Sequence, residues 1–420
     1  MTATADIVGM DHPGYQRAVD LLHRCITPHG FVAAPAGDDN YARVWGRDGV
    51  IESLAGLHTG DGDLIDAARN TLITLADHRG PHGEIPSNVD PRSRRVSYGG
   101  TAGRVDADLW FLVGCGEYWS TTGDADFLAR IRPVVDDVVF LLGAWEYNNR
   151  GLVYVPVTGD WADEYLQHGY VLYDEALYLQ ALRSVAAMRA HHYGSADHAL
   201  IDRIDRLRHL IRVNFWLEED EKPTSDVYHP TLFQKGERAA ARRDGRYWMP
   251  YFGPTGYGFR FDAFANTLVS LVGVADDDQQ SAVAGYVDGL LDDDLPLVPA
   301  FHPVITPIDA AWDDLQMTFQ YSFRNRPFEY QNGGLWPMIG GFQAAERAQR
   351  GDRQGAVRLL EGVHRANALP MGDEYREWSF PEFVNGESHA AEGTAELGWS
   401  AAGAVIGEHA LAGDPVFRIS

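Results

Sequence analysis

The apolar pattern predicts an all-α protein: an α/α toroid of about twelve helices with its long loops gathered at one end. Three observations carry that prediction. Apolar residues recur with a 3.6-residue period over roughly 15–25, 47–58, 62–78, 104–120, 124–148 and 171–192. The same period returns over roughly 195–217, 261–271, 275–292, 333–350, 353–367 and 395–412. Strand-like stretches are few and short, and no parallel βαβ rhythm is present.

The connections alternate in kind. Thr122-Gly123-Asp124 and Thr59-Gly60-Asp61-Gly62-Asp63 place a helix C-cap glycine against an N-cap aspartate, so they read as tight hairpin turns. The other connections are long: about 79–103, 149–170, 218–260, 293–332 and 368–394. Loops of that length in a compact domain usually carry function. Short turns at one end and long aromatic, charged loops at the other suit an inner ring of helices around a funnel. No low-complexity linker divides the chain, so it reads as a single domain over 1–420. An α-solenoid would need a repeat of fixed period, and none is found.

Composition narrows the partners. The 420 residues are 45% hydrophobic and 11% aromatic, enough for a large core, and 11 Trp with 19 Tyr point to a concave aromatic site. A formal charge of −25 argues against nucleic acid or an anionic membrane as partner. The first residues lack a basic, then apolar leader pattern, and no run of about 18 apolar residues occurs. Cys25 and Cys115 each fall inside an apolar helical pattern and read as buried free thiols, which fits a cytoplasmic location. Asp outnumbers Glu about two to one, and Lys222 and Lys235 are the only lysines. That balance suits a protein kept soluble in high salt, or equally a GC-rich genome.

The chemistry is expected in the loops. Thr158-Gly159-Asp160-Trp161-Ala162-Asp163-Glu164-Tyr165 interleaves acids with aromatic rings between a β-like stretch and a helix. A ring beside a carboxyl group lowers the local dielectric and raises the carboxyl pKa, and it offers a sugar an apolar face. Simple capping by Asp160 or Asp163 is the plain alternative. Tyr41-Ala42-Arg43-Val44-Trp45-Gly46-Arg47-Asp48 precedes a helix. There Asp48 can accept two pyranose hydroxyls while Arg47 holds it ionised beside Trp45. In Tyr98-Gly99-Gly100-Thr101-Ala102-Gly103-Arg104-Val105-Asp106 the glycine spacing matches neither a P-loop nor a dinucleotide fingerprint. Asp106 and Trp110, four residues apart, share a helical face suited to gripping a sugar.

Two later segments complete the set. Tyr330-Gln331-Asn332-Gly333-Gly334-Leu335-Trp336-Pro337 sets Gln331, Asn332 and Trp336 at a helix start. Trp378-Ser379-Phe380-Pro381-Glu382-Phe383 places Glu382 in an apolar setting, ahead of the helix carrying Trp399. A buried Glu382 paired with an arginine is the competing structural reading. No zinc-spaced His/Cys cluster, His-Glu-x-x-His or Gly-x-Ser-x-Gly occurs, so neither a metal nor a cofactor is expected. His191-His192 and the other histidines read as surface. Two separated carboxyl groups in aromatic settings meet the needs of glycoside hydrolysis, with a carbohydrate as the partner.

These segments resemble known families. "VWGRDGVIESLAGL" and "GEIPSNVDP…YGGTAGRVDADLWFLVGCGEYWSTTGD" are similar to glycogen debranching enzymes (amylo-α-1,6-glucosidases) and to alkaline/neutral invertases. "GDWADEY" matches their acid-bearing segment, "GFRFDAFANTLVSL" and "EYQNGGLWP" look closer to the invertases, and "FPEFVNG…LGWSAAG" resembles the base-bearing end of either. The resemblance implies a six-hairpin, (α/α)6 glycosidase acting on an α-glucosidic bond with inversion. It implies Asp163 as general acid, Asp160 being a second candidate, and Glu382 as general base. Arg47, Asp48, Asp106 and Trp336 would hold the glycone; Trp45, Tyr98, Arg104, Trp110, Trp161, Gln331, Asn332 and Trp399 are further candidate sugar contacts. An inverting phosphorylase and a non-catalytic sugar binder are the rivals, and a homo-oligomer is compatible with the long 218–260 loop.

Overall fold

The computed structural model describes residues 8–36, 40–217, 224–319 and 321–420. The N-terminal leader reading in part, Lys222 and the first residues of the 218–260 loop lie outside them.

Helices α1 to α7 span Pro13–Arg24, Asp48–Thr59, Gly62–Asp77, Asp106–Thr122, Ala125–Trp145, Leu172–Tyr193 and His198–Phe215. Helices α8 to α14 span Pro230–Ala240, Ala263–Leu271, Asp277–Asp288, Trp312–Leu315, Pro337–Gln349, Arg353–Asn367 and Gly398–Ala412. All twelve helices expected from the period are present. The two additions, α8 and α11, fall within stretches expected to be irregular. Helix α11 is a single turn, and α8 buries only Phe233, Gly236, Glu237 and Ala240, too few positions for the period to register.

The helices form two rings. Contacts run from α2 to α4, α6, α9, α12, α14 and back to α2, closing an inner ring. Helices of this ring are buried nearly all round: in α2 every residue from Asp48 to His58 is buried. Outer helices show one apolar face. In α5 that face is Phe127, Leu128, Ile131, Val134, Val135 and Val138, while Arg130, Asp136 and Asp137 face outward. The architecture is the expected all-α toroid.

Local sequence dictates the hairpins. Gly60 and Gly123 end α2 and α4 with φ of 70° and 66°, and Asp61 and Asp124 then cap α3 and α5 through the backbone N–H groups of Leu64 and Phe127. Helices α12 and α14 touch backbone to backbone: a Cβ on Gly341 would lie 2.0 Å from the Gly403 carbonyl oxygen.

Short antiparallel strands gather where inner helices begin. Val44–Trp45 pairs with Asn88–Asp90 just before α2, Gly169–Val171 pairs with Tyr251–Gly253 just before α6, and Phe261–Asp262 pairs with Phe301–His302 just before α9. The strands thus hold the long loops over the N-terminal ends of the inner ring. Among the described residues no helix is long and apolar enough to cross a membrane. Cys25 and Cys115 are buried and free.

Candidate active site

Three inner helices deliver polar and aromatic side chains to one recess from their starts, and a fourth, α4, sets Asp106 against them from behind. Arg47 caps α2 and Asp48 opens it, Asp106 opens α4, Trp336 caps α12, and Trp399 lies in the first turn of α14. The recess is lined by Tyr41, Trp45, Arg47, Asp48, Trp161 and Asp163, and by Arg324, Tyr330, Gln331, Trp336, Glu382 and Trp399. Asp163 and Glu382, 219 positions apart, therefore meet across a single aromatic chamber. It opens into a cavity of about 560 Å³ that includes Arg43, Trp45, Asn88, Arg104, Asp163 and Glu164.

The loop carrying Asp163 is held by its backbone. Gly159 N–H donates to Pro156 O at 2.9 Å, Val105 N–H donates to Gly159 O at 2.8 Å, and the Arg104 guanidinium donates to Thr158 O. Trp161 stacks on Phe301 with centroids 5.4 Å apart and meets Trp336 edge-on at 6.0 Å. Near the recess, Phe328, Tyr330, Trp378 and Phe380 take positive φ of 68°, 49°, 56° and 45°. Such backbone is strained for non-glycine residues and persists only where surrounding contacts over-determine it.

Arg47 is the electrostatic hub. Its Nη1 donates to Asp106 Oδ2 at 2.9 Å and to Asp163 Oδ1 at 3.1 Å, while its Nε lies 3.7 Å from Asp48 Oδ2. Arg104 Nε approaches Asp163 Oδ1 at 3.3 Å. Burial pushes the Asp163 carboxyl pKa up, but the guanidiniums of Arg104 and Arg47 outweigh it and hold the group below its ordinary value. Glu382 moves the other way. Burial raises its pKa, partly offset by Arg324, 3.9 Å away, and by the Tyr41 hydroxyl, which donates to both oxygens at 3.1 and 3.0 Å. Asp48 is raised to about 7 by burial against the pull of Arg47. Asp48 Oδ2, Arg47 Nε and Trp399 Nε1 are buried without a hydrogen-bond partner. Asp48 Oδ2 and Arg47 Nε face each other only as an ion pair, and with Trp399 Nε1 they leave hydrogen-bonding capacity at the chamber wall that suits a ligand rich in hydroxyl groups.

Several candidates lie elsewhere. Trp110 is fully buried behind the chamber and donates from Nε1 to the Tyr173 hydroxyl at 2.7 Å; Tyr173 in turn donates to Asp106. Its helical spacing from Asp106 is real, but that face turns into the core. Asp106 is itself buried against Arg47 and does not line the chamber. Asp160 accepts from Gln167 Nε2 at 2.7 Å in the core, and burial, then Asp262, push its pKa well up, so it is not poised at the recess. The Asn332 side chain is spent on backbone groups, accepting from Ile305 N–H and donating to the carbonyls of Ile305 and Asn325. Tyr98 donates to His78 O and lines a separate cavity with Tyr147 and Tyr154.

Tyr41, Arg324 and Tyr330 were not singled out from sequence. Tyr41 and Tyr330 stand at the ends of the Tyr41–Asp48 and Tyr330–Pro337 segments, whereas Arg324 lies in a stretch with no sequence signal. The histidines are not all at the surface: His58, His364 and His409 are buried, and His364 Nε2 lies 2.7 Å from Glu408 Oε1.

Known proteins resemble the chain in sequence and in fold. The family model described as alkaline and neutral invertase matches residues 95–412, and that described as amylo-alpha-1,6-glucosidase matches 17–150. Alkaline/neutral invertase E, chloroplastic, of Arabidopsis thaliana is 22% identical over 94% of this chain and 71% of its own length. Probable alkaline/neutral invertase D of the same plant is 23% identical over 90% and 78%. A GH63 mannosylglycerate hydrolase from Thermus thermophilus, solved with glucose, superposes with a TM-score of 0.62 at 15% identity, covering 94% of this chain and 99% of that one. A bacterial glucoamylase complexed with acarbose gives 0.65 at 15% identity, over 97% and 56%. The last two likenesses are of fold.

Proposed function

Since the chain belongs to the alkaline and neutral invertase family and is a glycoside hydrolase, we propose that it cleaves the α-glucosidic bond of a small α-glucoside with inversion. Sucrose is the first candidate, by likeness to the invertases; a glucosylglycerate-like solute and an α-1,6-linked oligosaccharide follow. The observation that carries the reading is Asp163 and Glu382 lining one Trp-walled recess. The closed inner ring supports taking 1–420 as one catalytic domain.

In this reading a glucosyl unit occupies the inner chamber. Asp48 accepts two of its hydroxyls, while Arg47 and Trp399 donate to others. Asp163 gives a proton to the departing oxygen, and Glu382 takes one from the water attacking the opposite face of the anomeric carbon. A second reading exchanges the two roles. It is favoured by the charges around the two carboxyl groups, where paired arginines keep Asp163 ionised and burial favours protonated Glu382. The first reading requires the substrate to draw the guanidiniums away from Asp163, or turnover through the minor population carrying the reverse protonation.

A leaving group that needs no proton separates the two. Asp163→Asn and Glu382→Gln should each lose at least about a thousandfold in kcat on a disaccharide. On α-glucosyl fluoride, Asp163→Asn recovers if Asp163 is the acid, and Glu382→Gln recovers if the roles are exchanged. NMR of the first-formed anomer tests inversion. Wild-type turnover of the disaccharide by either variant would end both assignments.

A further inference from the structure

The outer cavity is finished by a segment that the mechanism above does not use. Met317, Phe319 and Tyr321 are 83%, 42% and 90% exposed, in a protein that buries most of its large apolar side chains. Phe319 and Tyr321 line the same cavity as Trp45 and Asp163. Phe319 rests edge-on against Phe323 at 6.3 Å, and Phe323 against Trp312 at 5.5 Å, so its ring is braced from behind. The segment is also tied to the acid loop. Thr318 Oγ1 and Asn325 Nδ2 both donate to the carbonyl of Glu164, the residue after Asp163, at 2.7 and 2.5 Å.

We propose that Phe319 and Tyr321, with Trp45, form the platform for the aglycone, and that the aglycone is itself a sugar ring rather than an open-chain polyol or acid. This rests on the glycosidase reading of the chamber. Water hydrates an exposed aromatic face poorly, whereas the C–H face of a furanose or pyranose covers it while its hydroxyls stay wet. An open-chain three-carbon acid offers no comparable face. Because Thr318 and Asn325 grip the Glu164 carbonyl, a ring seated on the platform also steadies Asp163, so that binding there contributes to the rate as well as to affinity.

The test compares kcat/KM on an α-glucosyl disaccharide with that on α-glucosyl fluoride, which has no aglycone ring. Phe319→Ala and Tyr321→Ala should each lower the disaccharide-to-fluoride ratio about fivefold, the scale of one aromatic contact. Tyr321→Phe, which keeps the ring, should restore the ratio. Ile308→Ala, on a 96% exposed side chain outside the cavity, should leave it at the wild-type value. A wild-type ratio in both alanine variants overturns the proposal. So does an equal fall in Tyr321→Phe or Ile308→Ala, or better wild-type turnover of α-glucosylglycerate than of any disaccharide. Failure of the wild type on every substrate, fluoride included, would instead strike the glycosidase reading beneath it.

Discussion

The inner chamber and the outer cavity share Asp163 but are built in opposite ways. The chamber anchors Arg47, Asp48, Trp336 and Trp399 at the starts of α2, α12 and α14, whose backbones are locked in a closed ring, and from there Arg47 holds the loop carboxylate Asp163 at 3.1 Å. The outer cavity is walled by loop residues such as Ser97, Gly99, Thr101 and Phe319. A site for one invariant ring needs atoms held to a fraction of an ångström, and rigid elements supply that. A site that selects among leaving groups is made from loops, which change without disturbing the core.

Two arginines put that contrast to its hardest trial. Arg47→Ala removes the hub and leaves the buried Asp106 without the guanidinium that donates to it at 2.9 Å. It should cost at least about a hundredfold in kcat/KM and about 3–5 kcal/mol of stability, the usual result of stranding a buried charge. Arg43, whose Nη1 donates to Asn88 Oδ1 at 3.1 Å in the outer cavity, should cost less than about tenfold and shift Tm little when changed to Ala. Equal losses, read by kinetics and thermal melts, would erase the distinction between the two regions.

The same contrast governs what was legible beforehand. The hairpins could be read because Gly60-Asp61 and Gly123-Asp124 are local signals, complete within a few residues. Asp48, Asp163, Trp336 and Glu382 could be placed because they stand at helix starts or in loops with recurrent neighbours. Trp110 was misplaced, since periodicity shows which residues share a face but not which face meets the funnel. Arg324 was missed for a different reason. It lies in an irregular loop, and only the folded chain brings it to Tyr330, Glu164 and Glu382. The histidines misled because a buried His364 finds its ring-nitrogen partner in Glu408, forty-four residues away.

Stability against pH sharpens the comparison from the inner side. Burial raises Asp48 to about 7 and Asp262 to about 6, well above the roughly 3.9 of an unfolded aspartate. Between those values the folded chain holds protons that the unfolded chain has released. The contribution is therefore fully present below about pH 4 and is lost as pH rises through 6 and 7. Tm should fall from pH 5 to pH 8, and Asp48→Asn should make the fall shallower. A melting temperature flat across that range, or a slope unchanged in the variant, would mean that the chamber is wetter than its packing shows.

The smallest effect is expected farthest from either region. Asp124 accepts from the backbone of Phe127 at 2.9 Å to cap α5, and also binds Arg69 Nε at 3.0 Å. It stands in the short turn that joins inner α4 to outer α5, and its carboxyl is held below the ordinary value first by that backbone hydrogen bond. Asp124→Ala should cost about 1 kcal/mol in denaturant unfolding, the usual result of a lost N-cap. The missing carboxylate belongs to an outer-ring helix, whereas the chamber draws on inner helices that stay packed against one another, so kcat/KM should remain at the wild-type value. A variant that loses activity in step with stability would show that the outer ring positions the chamber as well as enclosing it.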